Sequence, residues 1–168
     1  MEPVRVALVG NPNAGKSTIF NALTGSRQHV GNWPGKTIEK KAGSFRHNGT
    51  EVNLIDLPGT YSLSAYSLEE IIARDFILDE KPDAVVTVVD AANLERNLYL
   101  VVQVLELGVP VIVALNMSDR AEAHGLEIDR EQLSAALGCP VIRTVGHKKE
   151  GIHELIEAIL DVAVKEQA

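Results

Sequence analysis

The stretch Val4-Arg5-Val6-Ala7-Leu8-Val9-Gly10-Asn11-Pro12-Asn13-Ala14-Gly15-Lys16-Ser17 carries a strand-length apolar run into a glycine-rich turn, and Ser17 to Thr24 is helix-forming. Gly10 to Ser17 matches G-x-x-x-x-G-K-[ST] in full. With a strand before it and a helix after it, such a turn wraps backbone N–H groups around an anion at the positive end of a helix dipole, which makes it a phosphate-binding loop. Residues Gly10, Asn11, Pro12, Asn13, Ala14 and Gly15 form the cradle. Lys16 would bridge the β- and γ-phosphates of a nucleotide, Ser17 would ligate Mg²⁺, and Thr18 follows in the same turn. The competing reading is a β-to-α turn with a surface lysine.

Beyond the loop the chain alternates. A Gly/Pro-rich loop, Gly25 to Gly35, leads into a hairpin of Ile38 to His47 and Glu51 to Asp56, with Asn48-Gly49 as its turn signal. Apolar runs at 84–89, 110–115 and 141–144 then alternate with helical patterns at 68–79, 94–106, 130–137 and 151–164. Buried parallel strands between amphipathic helices imply an open sheet with helices on both faces and ligands at the carboxyl ends of the strands. Asp90 and Asn116 fall at two such ends.

A length of 168 residues with 45% hydrophobic content fits one domain. The formal charge of −7 argues against a broad nucleic-acid or anionic-membrane footprint. No apolar run approaches the roughly 20 residues of a membrane-spanning helix. The single cysteine, Cys139, has no partner within the chain for a disulfide, and a reducing cytoplasmic setting is expected.

Two later motifs choose among phosphate-loop proteins. Asp56-Leu57-Pro58-Gly59 follows the strand Val52–Ile55, where the carboxylate could hold the hydration shell of Mg²⁺ and the Gly59 N–H could reach a γ-phosphate. Alone, it also reads as an ordinary strand-end turn. Asn116-Met117-Ser118-Asp119 is an N-x-x-D string after the strand 111–115. Asp119 can accept two hydrogen bonds from guanine, whereas adenine presents an acceptor at N1 and would leave the carboxylate desolvated and unpaired. Asn116 would tie this loop back to the phosphate loop. Alternatively, Asp119 is a helix N-cap.

Taken in order, GNPNAGKS, a threonine loop, DLPG and NMSD resemble a TRAFAC-class GTPase. The string Val30-Gly31-Asn32-Trp33-Pro34-Gly35-Lys36-Thr37 is similar to the first switch of the FeoB family of ferrous-iron transporters, and DLPGTYSL from Asp56 to Leu63 resembles the same family. The resemblance implies a Ras-like P-loop GTPase domain, α/β, with a mostly parallel six-stranded sheet, one antiparallel edge strand and helices on both faces. It also implies binding of GTP and GDP with Mg²⁺, and a place at the cytoplasmic face of the cell membrane. On this reading residues 1–168 are the GTP-binding domain of a longer protein whose helical regulatory and transmembrane domains lie outside the chain, and a homo-oligomer is one possible assembly. The alternatives are a slow GTP-dependent binding module and an RNA- or ribosome-linked GTPase, although no nucleic-acid partner is expected of so acidic a chain.

Carried onto this chain, the resemblance makes Thr37 the switch threonine that ligates Mg²⁺ in the triphosphate state, with Gly35 and Lys36 beside it. Trp33 either lies over the nucleotide, the preferred reading, or caps a hydrophobic patch. Thr60 stands where many small GTPases have a water-orienting glutamine. Asn13 resembles the asparagine of potassium-activated GTPases, and carbonyls around Gly31 and Trp33 would complete a K⁺ site that takes the place of an arginine finger. Asn13 also reads simply as a turn residue. The catalytic group is then Asn13, Lys16, Thr37 and Gly59. The last motif departs from the usual Ser-Ala pattern. Thr144-Val145-Gly146 stands there, with the Gly146 N–H expected to meet guanine O6, and Met117 replaces the usual lysine. Lys40, Lys41, Arg46 and His47 are expected on a solvated edge hairpin. His29, His47, His124, His147 and His153 show no metal-ligand spacing and scatter over loops and polar faces, so no iron or zinc site is expected.

Overall fold

In the computed structural model, which describes residues 2–167, the polypeptide alternates strand and helix as the sequence pattern requires. The elements are β1 (Val4–Gly10), α1 (Lys16–Thr24), β2 (Gln28–Asn32), β3 (Glu39–His47), β4 (Thr50–Asp56), α2 (Leu68–Glu80), β5 (Ala84–Asp90), α3 (Leu94–Glu106), β6 (Val111–Asn116), α4 (Ser118–Ala123), α5 (Arg130–Leu137), β7 (Val141–Arg143) and α6 (Ile152–Gln167). They build one sheet of order β2-β3-β4-β1-β5-β6-β7. β4, β1, β5, β6 and β7 are mutually parallel, and β3 runs antiparallel to β4.

The sheet has seven strands where six were expected. The extra one is β2, antiparallel to β3 with Gln28 opposite Gly43 and Asn32 opposite Glu39. It lies inside the segment that its glycines mark as a loop. Four of its five residues are exposed, so no apolar alternation announces it, and only the unpaired edge of β3 recruits it. As a consequence β3 is not an edge strand, and the basic stretch at Lys40 and Lys41 faces a neighbour on each side.

Successive strand residues point to opposite faces, and each face has its own core. Val4, Val6 and Leu8 of β1 join Leu54, Val86 and Ile112 beneath Ile19, Phe20 and Leu23 of α1 and Leu155 and Ile159 of α6. Ala7 and Val9 join Val85, Val89, Val113 and Leu115 beneath Ala73 and Ile77 of α2 and Leu100, Val101 and Val104 of α3. β5 is buried at every position, as a continuous apolar run flanked by parallel neighbours must be. The β3–β4 turn at Asn48-Gly49 has φ of 51° and 81°, the positive values that a two-residue hairpin demands. The parallel strands therefore deliver Gly10, Asp56, Asp90 and Asn116 to one edge. Among the described residues no helix is long and apolar enough to cross a membrane.

Candidate nucleotide-binding site

The phosphate loop leaves β1 at Gly10 and enters α1 at Lys16, with Gly15 in the left-handed conformation at the helix start. Ala14 N–H donates to Asn11 C=O over 3.1 Å, closing the turn. Lys16 is only 7% exposed, and its ammonium pairs with the carboxylate of Asp56, which is equally buried. Burial lifts the Asp56 carboxyl above the usual carboxylate range, against the pull of the Lys16 ammonium. Two opposite charges taken out of water are stable only as a pair, so a ligand that separates them must satisfy both. The Asn11 side-chain oxygen is buried with no hydrogen-bond partner among the described residues. Pro12, Asn13 and Ser17 are exposed, and Thr18 is half-buried.

Asn116 is the structural link of the site. Its Nδ2 donates to Ala14 C=O over 3.0 Å, while its Oδ1 accepts from the Thr144 hydroxyl at 3.1 Å and the Gly146 N–H at 3.0 Å. One buried amide thus ties the phosphate loop, the end of β6 and the segment after β7 together. The Gly146 N–H, expected to meet guanine O6, donates to Asn116 in this structure. The next amide, that of His147, makes no backbone hydrogen bond among the described residues. Thr144 and Val145 are fully buried, so their side chains support the loop from beneath. Met117, left-handed at φ 56°, caps α4. The Asp119 carboxylate lies 3.8 Å from His147 Nε2 and 3.7 Å from Lys148 Nζ, so an imidazole and an ammonium flank the proposed base reader.

The segment that follows β4 is fixed more firmly than its sequence announces. Leu57 is core. Pro58 and Gly59 are half-buried. Thr60 N–H donates to Gly10 C=O over 3.1 Å, and the Thr60 hydroxyl is spent within its own turn on Ser62. Thr60 therefore joins this segment to the phosphate loop and does not present a hydroxyl as a glutamine would present its amide. Glu70, in the first turn of α2, turns back toward the preceding loop. Its carboxylate accepts from the Ser62 hydroxyl and the Ser64 N–H, while Ser67 caps the helix. The spacing Ser67-x-x-Glu70 was the available signal, since it is that of a capping box.

The segment 28–37, which holds the expected first switch, pairs with β3 and packs on α2. Gly31 is part of β2, opposite Lys40, and the Trp33 C=O accepts from the Lys36 N–H over 2.9 Å. Gly35, Lys36 and Thr37 are exposed, and Thr37 makes no hydrogen bond among the described residues. The Trp33 ring is 8% exposed, edge-on to Phe76 of α2 at 5.9 Å, with Lys40 Nζ 4.8 Å from its centroid. Of the two readings of Trp33, the ring adopts the hydrophobic cap, lining a groove of about 390 Å³ with Leu68, Ile72 and Phe76. The physical reason is that α2 offers apolar area that Gly31, Pro34 and Gly35 do not. Gly31, one of the expected cation ligands, is thus committed to the β2–β3 pairing, and the Trp33 ring to α2.

Burial pushes the Cys139 thiol up to about 11, which keeps it protonated and inert at neutral pH. The histidines are not all isolated, contrary to expectation: His47 and His153 converge on Glu157 across 110 residues of sequence, a separation that no spacing rule detects.

The comparisons with known proteins agree with this geometry. A family profile described as Ferrous iron transport protein B matches residues 4–159. The Fe(2+) transporter FeoB of Escherichia coli K12 is 55% identical over 163 residues, covering 95% of this chain and 21% of that protein. The chain thus spans about a fifth of the length of this curated relative. Among solved structures, the cytosolic domain of T. maritima FeoB in a GDP form superposes with a TM-score of 0.92 at 48% identity, covering 97% of this chain and 64% of that one. The FeoB G-domain from Methanococcus jannaschii gives 0.87 at 49% identity, covering 98% and 99%. With its phosphate loop, its Asn116 link and this match along nearly its whole length, the chain belongs to the FeoB family of ferrous iron transport proteins.

Proposed function

We propose that this chain binds GTP and GDP with Mg²⁺ and hydrolyses GTP, and that in the longer protein this cycle regulates or drives ferrous-iron uptake from the cytoplasmic face of the membrane. The helical and transmembrane domains of the family would be its intramolecular partners. The observation that carries the reading is the Asn116 amide, which holds a phosphate loop and a base-reading loop in one rigid unit.

Nucleotide entry would exchange partners at the Lys16–Asp56 pair. The Lys16 ammonium would turn to the β- and γ-phosphate oxygens, and Asp56 would turn to the hydration shell of Mg²⁺. Asp56, Ser17 and Thr37 offer hard oxygen donors, the set that suits this ion. When bound, Mg²⁺ neutralises charge on the phosphates. Asp119 would accept from guanine N1–H and the exocyclic amine, and the His147 N–H is the amide left for O6. Adenine would leave the Asp119 carboxylate unpaired, a penalty on the order of 10⁴ in discrimination.

Hydrolysis would rest on positioning and charge stabilisation. The Gly59 N–H and Thr37 would meet the γ-phosphate, and Asn13 would carry the cation role that the family resemblance assigns it. K⁺ binding requires the first switch to leave β2. A slow, GTP-dependent binding module is the second reading, favoured by the engagement of the Thr60 hydroxyl.

Single-turnover GTP hydrolysis with Mg²⁺, in potassium against sodium at equal ionic strength, separates the two. Potassium stimulation that is lost in Asn13→Ala supports a cation-activated hydrolase. Equal rates in the two salts sink the K⁺ role, and slow turnover in both leaves the binding module.

A further inference from the structure

His47 ends β3, at the opposite end of the β3–β4 hairpin from Asp56. With a rise of about 3.4 Å per strand residue, the length of β4 puts roughly 20 Å between it and the nucleotide edge. His153 and Glu157 sit one turn apart on α6, where i and i+4 side chains share a face. The Nε2 atoms of His47 and His153 approach the same oxygen, Glu157 Oε1, at 2.9 and 3.5 Å. The three ligand atoms lie within 4.8 Å of one another, and the two imidazoles meet edge to face with centroids 5.5 Å apart.

We propose that His47, His153 and Glu157 form a binding site for a divalent transition-metal ion of the class that takes imidazole nitrogen and carboxylate oxygen together, Zn²⁺ or Fe²⁺. A tetrahedral ion with bonds of ~2.0–2.2 Å holds neighbouring donors roughly 3.3 Å apart. The two measured separations bracket that value, so the ion would replace the hydrogen bonds with small side-chain movements. Two histidines and one carboxylate leave further coordination positions for water, the arrangement of open Zn²⁺ and non-haem Fe²⁺ sites. Mg²⁺ demands oxygen donors, so the site does not compete for the ion of the nucleotide. Half-buried His47, already hydrogen-bonded to Glu157, and the one-turn spacing of His153 and Glu157 on α6 lower the ordering cost of binding. The bound ion ties the β3–β4 hairpin to α6. None of this depends on the nucleotide reading.

The test is calorimetric titration of Zn²⁺ into the untagged, nucleotide-free, chelator-treated chain, repeated with His47→Ala and His153→Ala. The expected result is one equivalent bound with a dissociation constant of ~10 μM or tighter, weakened at least tenfold in each variant. Zn²⁺ should also raise the melting temperature of the parent and not of the variants. His153 is 70% exposed in its side chain, so its truncation leaves the fold intact and guards against a folding artefact at His47. GDP affinity, measured in parallel, should not change. No binding at about 100 μM Zn²⁺, or a loss of less than tenfold in either variant, overturns the proposal, and the cluster is then a hydrogen-bonded His–Glu group only.

Discussion

At Gly15 the backbone has φ of 83°, and a methyl group there would stand 2.4 Å from Asn116 Nδ2. Alanine would meet both a backbone penalty and a collision with the amide that links the two loops. Strain of this kind costs about 1–3 kcal/mol. Gly15→Ala is therefore expected to lower the melting temperature and weaken GDP binding at least tenfold, measured with a fluorescent GDP analogue. The requirement for glycine was legible in the motif. Its physical partner was not, because Asn116 lies 101 positions away. Gly146 shows the same dependence on distance: its N–H, expected at a base, donates to Asn116, 30 positions away.

Elements explain what single residues do not. Through Glu70, α2 holds the loop that follows Asp56, and the Ser62 hydroxyl, ahead of the smaller contributions of Ser67 and Ser64, keeps the Glu70 carboxyl below its ordinary value of 4.5. A carboxyl depressed on folding adds stability that is fully present above its unfolded pKa and is lost as pH falls through the folded one. Glu70→Gln should thus destabilise the protein at pH 7, and the gap should close on acidification below about pH 4, read from urea midpoints at each pH. α2 also holds Trp33, the only tryptophan of the chain. If the first switch must leave β2 for Thr37 to reach a γ-phosphate, the buried indole is exposed. Its emission should shift to the red with Mg²⁺ and a non-hydrolysable GTP analogue but not with GDP; an unchanged spectrum would mean that the switch closes with Trp33 in place.

At the scale of the whole molecule, two cores share one sheet. A central strand position such as Leu54, fully buried beneath α1 and α6, should unfold both when emptied. Leu54→Ala is expected to cost about 2–5 kcal/mol in a single cooperative denaturant transition, since a cavity in the shared layer cannot be relieved by one face alone. The strand and helix order, the hairpin turn, the phosphate loop and the two later motifs were all in the sequence, because period, turn chemistry and backbone anion cradles are local properties of neighbouring residues. The tertiary structure alone decided the rest. It recruited β2 from a glycine-rich segment to an open strand edge, drew Trp33 to the apolar flank of α2, and committed the Thr60 hydroxyl to its own turn. It also paired Lys16 with Asp56 and brought His47 to His153 and Glu157. Each of these outcomes depends on a surface or a charge supplied by a distant part of the chain, and such complementarity exists only once the chain has folded.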